Sequence, residues 1–221
     1  MNDILDKLTL CIERGKVDTN ATFPSDMIGD PGADELTRQA ITQNIPAEEI
    51  LNKALFKAMK RVGIRFRDNE IFVPEVLMAA KAMSTAMKHL IPFFDQGLIS
   101  KKGTFIIGTA AGDMHDIGKS LVAMIVEGGG WNTIDLGINV STQKFLAAIE
   151  ENPGCSVGIS ALLTTTMVNM ENTVKEIKEN YPGINVLVGG APVTQSFCDD
   201  IGADFYSPEP HGALDFLNEQ T

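Results

Sequence analysis

Cysteine is scarce in this 221-residue chain: Cys11, Cys155 and Cys198 stand far apart. That number and spacing offer neither a disulfide framework nor a cysteine-based zinc site. No stretch of about 18 uncharged apolar residues occurs, so no membrane-spanning helix is expected. The N-terminus lacks the basic segment followed by an apolar one that marks a secretory signal, and a cytoplasmic location is the expectation. In that compartment the acceptor-like triplets Asn20-Ala21-Thr22 and Asn139-Val140-Ser141 are coincidental. Basic charge is also short. Lys and Arg number 18 against 29 Asp and Glu, for a net charge of −11. Residues 99–221 carry 6 basic and 15 acidic side chains, whereas residues 1–98 carry 12 and 14. A nucleic-acid-binding surface would show the reverse.

What is present is enough apolar material, 44% of residues, for a substantial core in one large or two ordinary domains. The first part reads as about four helices. In residues 46–62 a proline and two glutamates suit a first helical turn, and Ile50, Leu51, Leu55, Met59 and Val62 recur at helical spacing. Residues 74–91 repeat the device, with Val76, Ala80, Met83, Met87 and Leu90 on one stripe and Pro92 expected to end the helix. Shorter helices are expected near 2–14 and 34–43. Between them, residues 15–33 are rich in Gly, Pro, Asp and Asn, a composition that predicts an extended surface loop. Lys57, Lys60, Arg61, Arg65 and Arg67 form a basic cluster, read as a solvated face or as a docking patch for an acidic partner.

From residue 98 the pattern changes to alternating strand and helix, so domains are expected over 1–97 and 98–221. Strand-like runs are Thr104–Gly108, Trp131–Leu136, Ser156–Ser160, Asn185–Val188 and Asp204–Tyr206. Near-continuous apolar runs such as Phe105-Ile106-Ile107 fit strands covered on both faces. The predicted fold is α/β: a helical cap domain of four-helix type, then a doubly wound, five-stranded parallel sheet of flavodoxin-like order.

Three short motifs fall at strand ends in that second part. They are Asp113-x-His115-x-x-Gly118, then after 41 residues Ser160-x-Leu162, then after 26 more Gly189-Gly190. Ligands of open α/β sheets sit outside the carboxyl ends of the strands. A loop histidine two residues after an aspartate can bind a metal through one ring nitrogen while the other donates to the carboxylate, though a lone loop histidine more often caps a helix. Asp116 directly precedes an apolar helix and suits its N-cap. Gly118 would let backbone approach a bulky planar ligand, and Gly189-Gly190 would allow a tight turn close to one.

These motifs and their spacing resemble the cobalamin-binding domain of methionine synthase, of the mutases and of the corrinoid proteins of methyltransferase systems. Residues 73–92 resemble the second helical module of the corrinoid proteins, whose helices cap the upper face of the corrin. The resemblance implies a cobalamin or related corrinoid, with His115 as the axial ligand of cobalt and a ligand relay of Asp113, His115 and Thr166. Thr166 stands where the family has a serine. Ser160 would bond the cofactor's displaced benzimidazole, and Leu162 would line its slot. Met114, Asp116, Ile117, Gly118, Thr164, Gly189, Gly190, Ala191 and Tyr206 complete the implied binding set. Glu209-Pro210 replaces a family Asp-Ala pair, so no role is expected for that segment. Met78, Met83, Met87 and His89 would either pack in the cap or contact the corrin.

With no room for a mutase barrel, the resemblance implies a carrier without catalysis of its own. It would move a methyl group on cobalt from a substrate-specific methyltransferase, acting on an O- or N-methyl donor, to a second methyltransferase that serves a thiol or tetrahydrofolate. A reductive activase is the further partner, and neither nucleic acid nor membrane is expected. The alternatives are a cobalamin-binding sensor module and a flavodoxin-like nucleotide-binding protein without corrinoid.

Overall fold

The computed structural model describes residues 2–96, 98, 100–206 and 208–220. It resolves into two compact units, Met1–Lys101 with Gly128–Gly130, and Lys102–Glu127 with Trp131–Thr221. Residue 97, where a domain boundary is expected from sequence, lies outside the described residues.

The first unit is helical: α1 (Asn2–Arg14), α2 (Ala33–Thr42), α3 (Ala47–Ile50), a π-helical stretch Leu51–Phe56, α4 (Lys57–Arg67) and α5 (Val73–Asp95). The stripe Ile50, Leu51, Leu55, Met59 and Val62 is buried throughout, as are Val76, Ala80, Met83 and Leu90 of α5. Pro92 does not end α5, which continues to Asp95. It lies within the last turn, where the missing N–H costs a single hydrogen bond, and its own carbonyl still accepts from Gln96 N at 3.2 Å. His89 pairs with Asp34 of α2, Nε2 to Oδ1 at 2.7 Å, so its partner is a packing one.

The segment expected as an extended loop is only partly so. Lys16 and Val17 are buried, a 3-10 turn forms at Ser25–Met27, and Lys16 Nζ donates to Ala21 O at 2.9 Å. Glu35 draws the segment onto the start of α2 by accepting from Gly32 N at 2.9 Å and Thr19 N at 3.2 Å. Composition identifies turns, whereas this tie depends on a carboxylate beyond the loop. Four members of the basic cluster are ion-paired at the surface: Lys57 with Asp6, Arg61 with Glu13, Arg65 with Glu70 and Arg67 with Asp68. They form a solvated, paired face.

The second unit alternates β1 (Thr104–Thr109), α6 (Ile117–Gly128), β2 (Asn132–Asp135), α7 (Thr142–Glu151), β3 (Ser156–Ser160), α8 (Thr164–Asn180), β4 (Val186–Gly189), α9 (Gln195–Ile201), β5 (Phe205–Tyr206) and α10 (Pro210–Glu219). The sheet order is β2-β1-β3-β4-β5 and every pair is parallel. Alternation along the strands feeds two cores. Ile106, Val157, Ile159, Val186 and Val188 pack with Phe145 of α7, Val174 of α8 and Cys198 of α9. Phe105, Ile107 and Leu187 pack on the opposite face with Ile125 of α6 and Leu217 of α10. Because the chain leaves β1 first for β2 and then for β3 on its other side, a crevice opens at the carboxyl ends of β1 and β3. That crevice receives the sequence motifs.

Candidate functional site

The loop after β1 is folded around Asp113. Gly112 takes a left-handed φ of +82°, which permits the tight turn in which Asp113 N donates to Ala110 O at 3.0 Å. Asn139, in the loop after β2, clamps this turn: its Oδ1 accepts from Gly112 N at 2.7 Å, and its N–H donates to Asp113 O at 3.0 Å. Thr109 Oγ1 donates to His115 O at 2.9 Å.

The Asp113 side chain has no exposed surface, while that of His115 is 49% exposed. Asp113 Oδ1 meets His115 Nδ1 at 2.7 Å and accepts from His115 N at 3.0 Å. Oδ2 accepts from Leu162 N at 2.7 Å, Leu163 N at 3.3 Å and Thr166 Oγ1 at 2.7 Å. Burial alone would raise the Asp113 pKa, but the bonds from Thr166, His115 and Leu162 outweigh it and hold the carboxyl well below the usual carboxylate range. An ionised Asp113 therefore accepts at Nδ1, and the other ring nitrogen of His115, Nε2, is left for a ligand. Thr166 preserves the hydroxyl contact despite standing in for serine.

Asp116 occupies the cap position of α6, its carbonyl accepting from Ser120 N at 2.8 Å. Its carboxylate is turned to the buried Lys119, Oδ1 to Nζ at 2.8 Å, and Lys119 also binds Asp135 at the end of β2. The α6 turn is thereby fastened to the sheet.

A cavity of about 820 Å³ lies beside these groups. Its wall includes Met114, His115, Asp116, Ile117 and Gly118 from the first motif, Ser160 and Leu162 from the second, and Gly189, Gly190 and Ala191 from the third, with Tyr206 beyond them. Asp113 and Thr166 sit behind the wall as supports. Thr164, at the exposed start of α8, is not part of it. Met114, Ile117 and Leu162 are exposed apolar side chains around His115, a surface suited to a large flat ring. A Cβ added at Gly118 would meet nothing within 4 Å, whereas one at Gly190, with φ +130°, would fall 1.9 Å from Ala161 O. Gly118 thus leaves open space, while the close approach that requires Gly190 is to the chain itself.

Several wall residues escape sequence reasoning. Phe105, Ile107, Gly158, Leu187 and Phe205 form the sheet side, with Val122 and Ala213 opposite. Pro208, Glu209 and Pro210 also border the cavity, contrary to the expectation for that segment, because the chain leaving β5 must cross its rim to begin α10. The overlooked signal is Ser156-x-Gly158-x-Ser160: alternate residues of β3 share a face, and here that face carries only small side chains.

The residues present fit a corrinoid. Among the described residues no cluster of three or more His, Cys, Asp or Glu side chains could hold a bare metal ion. A corrinoid brings most of its metal's donors with it and would call on a single protein nitrogen, and the His115 Nε2 beside the cavity is of that kind.

Comparison with known proteins agrees. Two models, each described as a B12 binding domain, match residues 103–213 and 30–91. Dimethylamine corrinoid protein 3 of Methanosarcina acetivorans is 39% identical over 172 residues, which cover 77% of this chain and 81% of that one. Trimethylamine corrinoid protein of Methanosarcina barkeri is 37% identical over 186 residues, covering 82% and 86%. The crystal structure of the methanol:cobalamin methyltransferase complex of Methanosarcina barkeri contains a chain that superposes with a TM-score of 0.82 at 26% identity, covering 99% of this chain and 80% of that one.

Proposed function

Since the chain belongs to the family of B12-binding corrinoid proteins of methyltransferase systems, we propose that His115 is its axial cobalt ligand and that a methylamine is the methyl donor it serves. The carrier role follows from the family. The donor is supported by the names of the dimethylamine and trimethylamine relatives. The single observation that carries the ligand assignment is the 2.7 Å contact of His115 Nδ1 with Asp113, which leaves the second ring nitrogen beside the cavity.

When bound, the corrinoid supplies a cobalt centre that takes up a methyl group and gives it up to a nucleophile. The chain's own residues hold and orient. Asp113 fixes the imidazole tautomer and ring plane, and Thr166 with the Leu162 and Leu163 amides fixes Asp113. Met114, Ile117 and Leu162 would bring apolar surface against the macrocycle and keep water from it. Gly118 would leave space for it and Ser160 would offer a hydroxyl at the cavity wall, while Tyr206 borders the cavity and packs against the core on the other face of the sheet. Partners of the carrier are methyltransferases. Of these, one would deliver the methyl group from the amine and a second would remove it to a thiol or tetrahydrofolate; a reductive activase would be a partner of a different kind.

The test is reconstitution with hydroxocobalamin, desalting, and visible spectroscopy of the wild type and His115→Ala. Retained corrin absorbance in both, with a band shift confined to the variant, is the expected result. Identical spectra would remove His115 as ligand. The donor is tested by incubating the reduced holoprotein with a methylamine methyltransferase and each of mono-, di- and trimethylamine. Turnover with none of them would refute the donor assignment.

A further inference from the structure

We infer that Lys119 is a positioning residue for the cofactor ligand: it closes a circuit of hydrogen bonds that fixes the main chain of His115 in the cavity wall. The inference rests on the corrinoid reading above and adds a residue of α6 to it.

Lys119 stands in the first turn of α6 with its side chain 1% exposed. Its ammonium donates to Asp116 Oδ1 at 2.8 Å and to Asp135 Oδ2. Asp135 Oδ1 accepts from Gly137 N at 2.9 Å. Gly137 O accepts from Thr109 N at 3.0 Å, and Thr109 Oγ1 donates to His115 O at 2.9 Å. Because Asp116 directly follows His115, the path returns to its start. His115 is thus held through its backbone on both sides, its carbonyl by Thr109 and the next residue by Lys119. None of these bonds involves Asp113, which fixes the ring with partners of its own. Asp113 governs which way the imidazole faces, and the circuit governs where its backbone stands.

Stability does not account for a buried cation at this place. Burying an ammonium costs hydration that ion pairing recovers only in part, and an apolar side chain of similar volume commonly serves stability as well or better. A methionine would fill the room of the Lys119 stem, and the two carboxylates left behind, 56% and 38% exposed, would be solvated. What methionine cannot do is join Asp116 to Asp135, carboxylates on different elements that repel one another without the ammonium between them. The joint also lies beside the ligand, since Lys119, Asp116 and His115 all border the cavity. Without it the loop could shift while Asp113 kept its hold on the ring, and a displacement of about 1 Å is enough to spoil a ligand's geometry.

The test compares the full-length wild type with Lys119→Met, as apoproteins and after reconstitution with hydroxocobalamin. In the apoprotein, amide exchange at Gly137 and Thr109 should be about tenfold faster in the variant, the order set by one hydrogen bond to a charged group. Equilibrium dialysis should show hydroxocobalamin bound about tenfold more weakly, as when a group that orients a metal ligand is removed. The visible spectrum should be a mixture of the wild-type and His115→Ala spectra, a readout that a purely structural lysine would not move. Thr109→Val opens the circuit at its other end and should act in the same direction. The double variant should bind no more weakly than the worse single one, since a circuit is broken only once. Wild-type affinity and spectrum in Lys119→Met would overturn the inference, as would additive losses in the double variant or unchanged exchange at both amides. A wild type that retains no corrin would instead overturn the corrinoid reading, and exchange at Gly137 and Thr109 would still decide whether the circuit exists. If Lys119→Met does not fold, Thr109→Val decides alone, by weakened binding and a mixed spectrum or by neither.

Discussion

Asp113 is a carboxylate without exposed surface, and such a group is tolerated only when its hydrogen-bonding capacity is filled. Its two oxygens are met by the His115 ring and amide, the Leu162 and Leu163 amides and the Thr166 hydroxyl. Thr166→Val removes one of these while keeping shape. Loss of a hydrogen bond to a charged group should destabilise the protein by about 2 kcal/mol, measured as a lower urea midpoint at unchanged slope. Thr166→Ser, which restores the hydroxyl, should recover most of that loss. Equal midpoints for Thr166→Val and the wild type would mean that Asp113 does not depend on Thr166. The corrin spectrum of Thr166→Val should shift far less than that of His115→Ala, because the imidazole keeps its own bond to Asp113.

At the scale of elements, α2 shows how a helix terminus can organise a loop. Glu35, in its first turn, accepts from the amides of Gly32 and Thr19, and its negative charge also suits the helix N-terminus. Burial tends to raise its pKa, but those backbone bonds prevail and lower it. A lowered folded-state pKa contributes stability above the ordinary glutamate value of about 4.3, lost as pH falls through the folded value. Glu35→Gln should therefore speed amide exchange at Thr19 and Gly32 near neutral pH, and the difference from wild type should shrink as pH drops below about 4. A pH-independent difference would refute the electrostatic account. This tie was not legible in the sequence, because turn-forming composition says where a chain bends and not what it bends towards. The strands were legible from runs such as Phe105-Ile106-Ile107, since parallel strands covered on both faces must be apolar on both. The three motifs were legible because each marks a strand end. The sheet side of the cavity was not, because Ile107, Leu187 and Phe205 read as ordinary core until register sets them beside Gly158.

At the scale of the whole molecule, charge bears on the encounter with partners. The chain carries a net −11, and residues 99–221, which build the cavity, hold 15 acidic against 6 basic side chains. A methyl carrier must meet at least two enzymes and leave each again, so its docking has to be fast and reversible. Long-range attraction between this acidic half and a basic partner face serves that need, since steering raises association rates more than it raises affinity. Raising ionic strength from about 0.01 M to about 1 M shortens the screening length from about 30 Å to about 3 Å, which removes the attraction between separated surfaces. In a methylamine methyltransferase assay, the KM for the loaded carrier should therefore rise with salt while kcat at saturating carrier stays nearly constant. The KM for the amine, which bears no relation to this surface, should stay constant as well. A kcat that falls with salt at constant KM would place the dependence in the chemical step and contradict electrostatic steering. A KM for the carrier that does not move would mean that docking is governed by contacts formed only at short range.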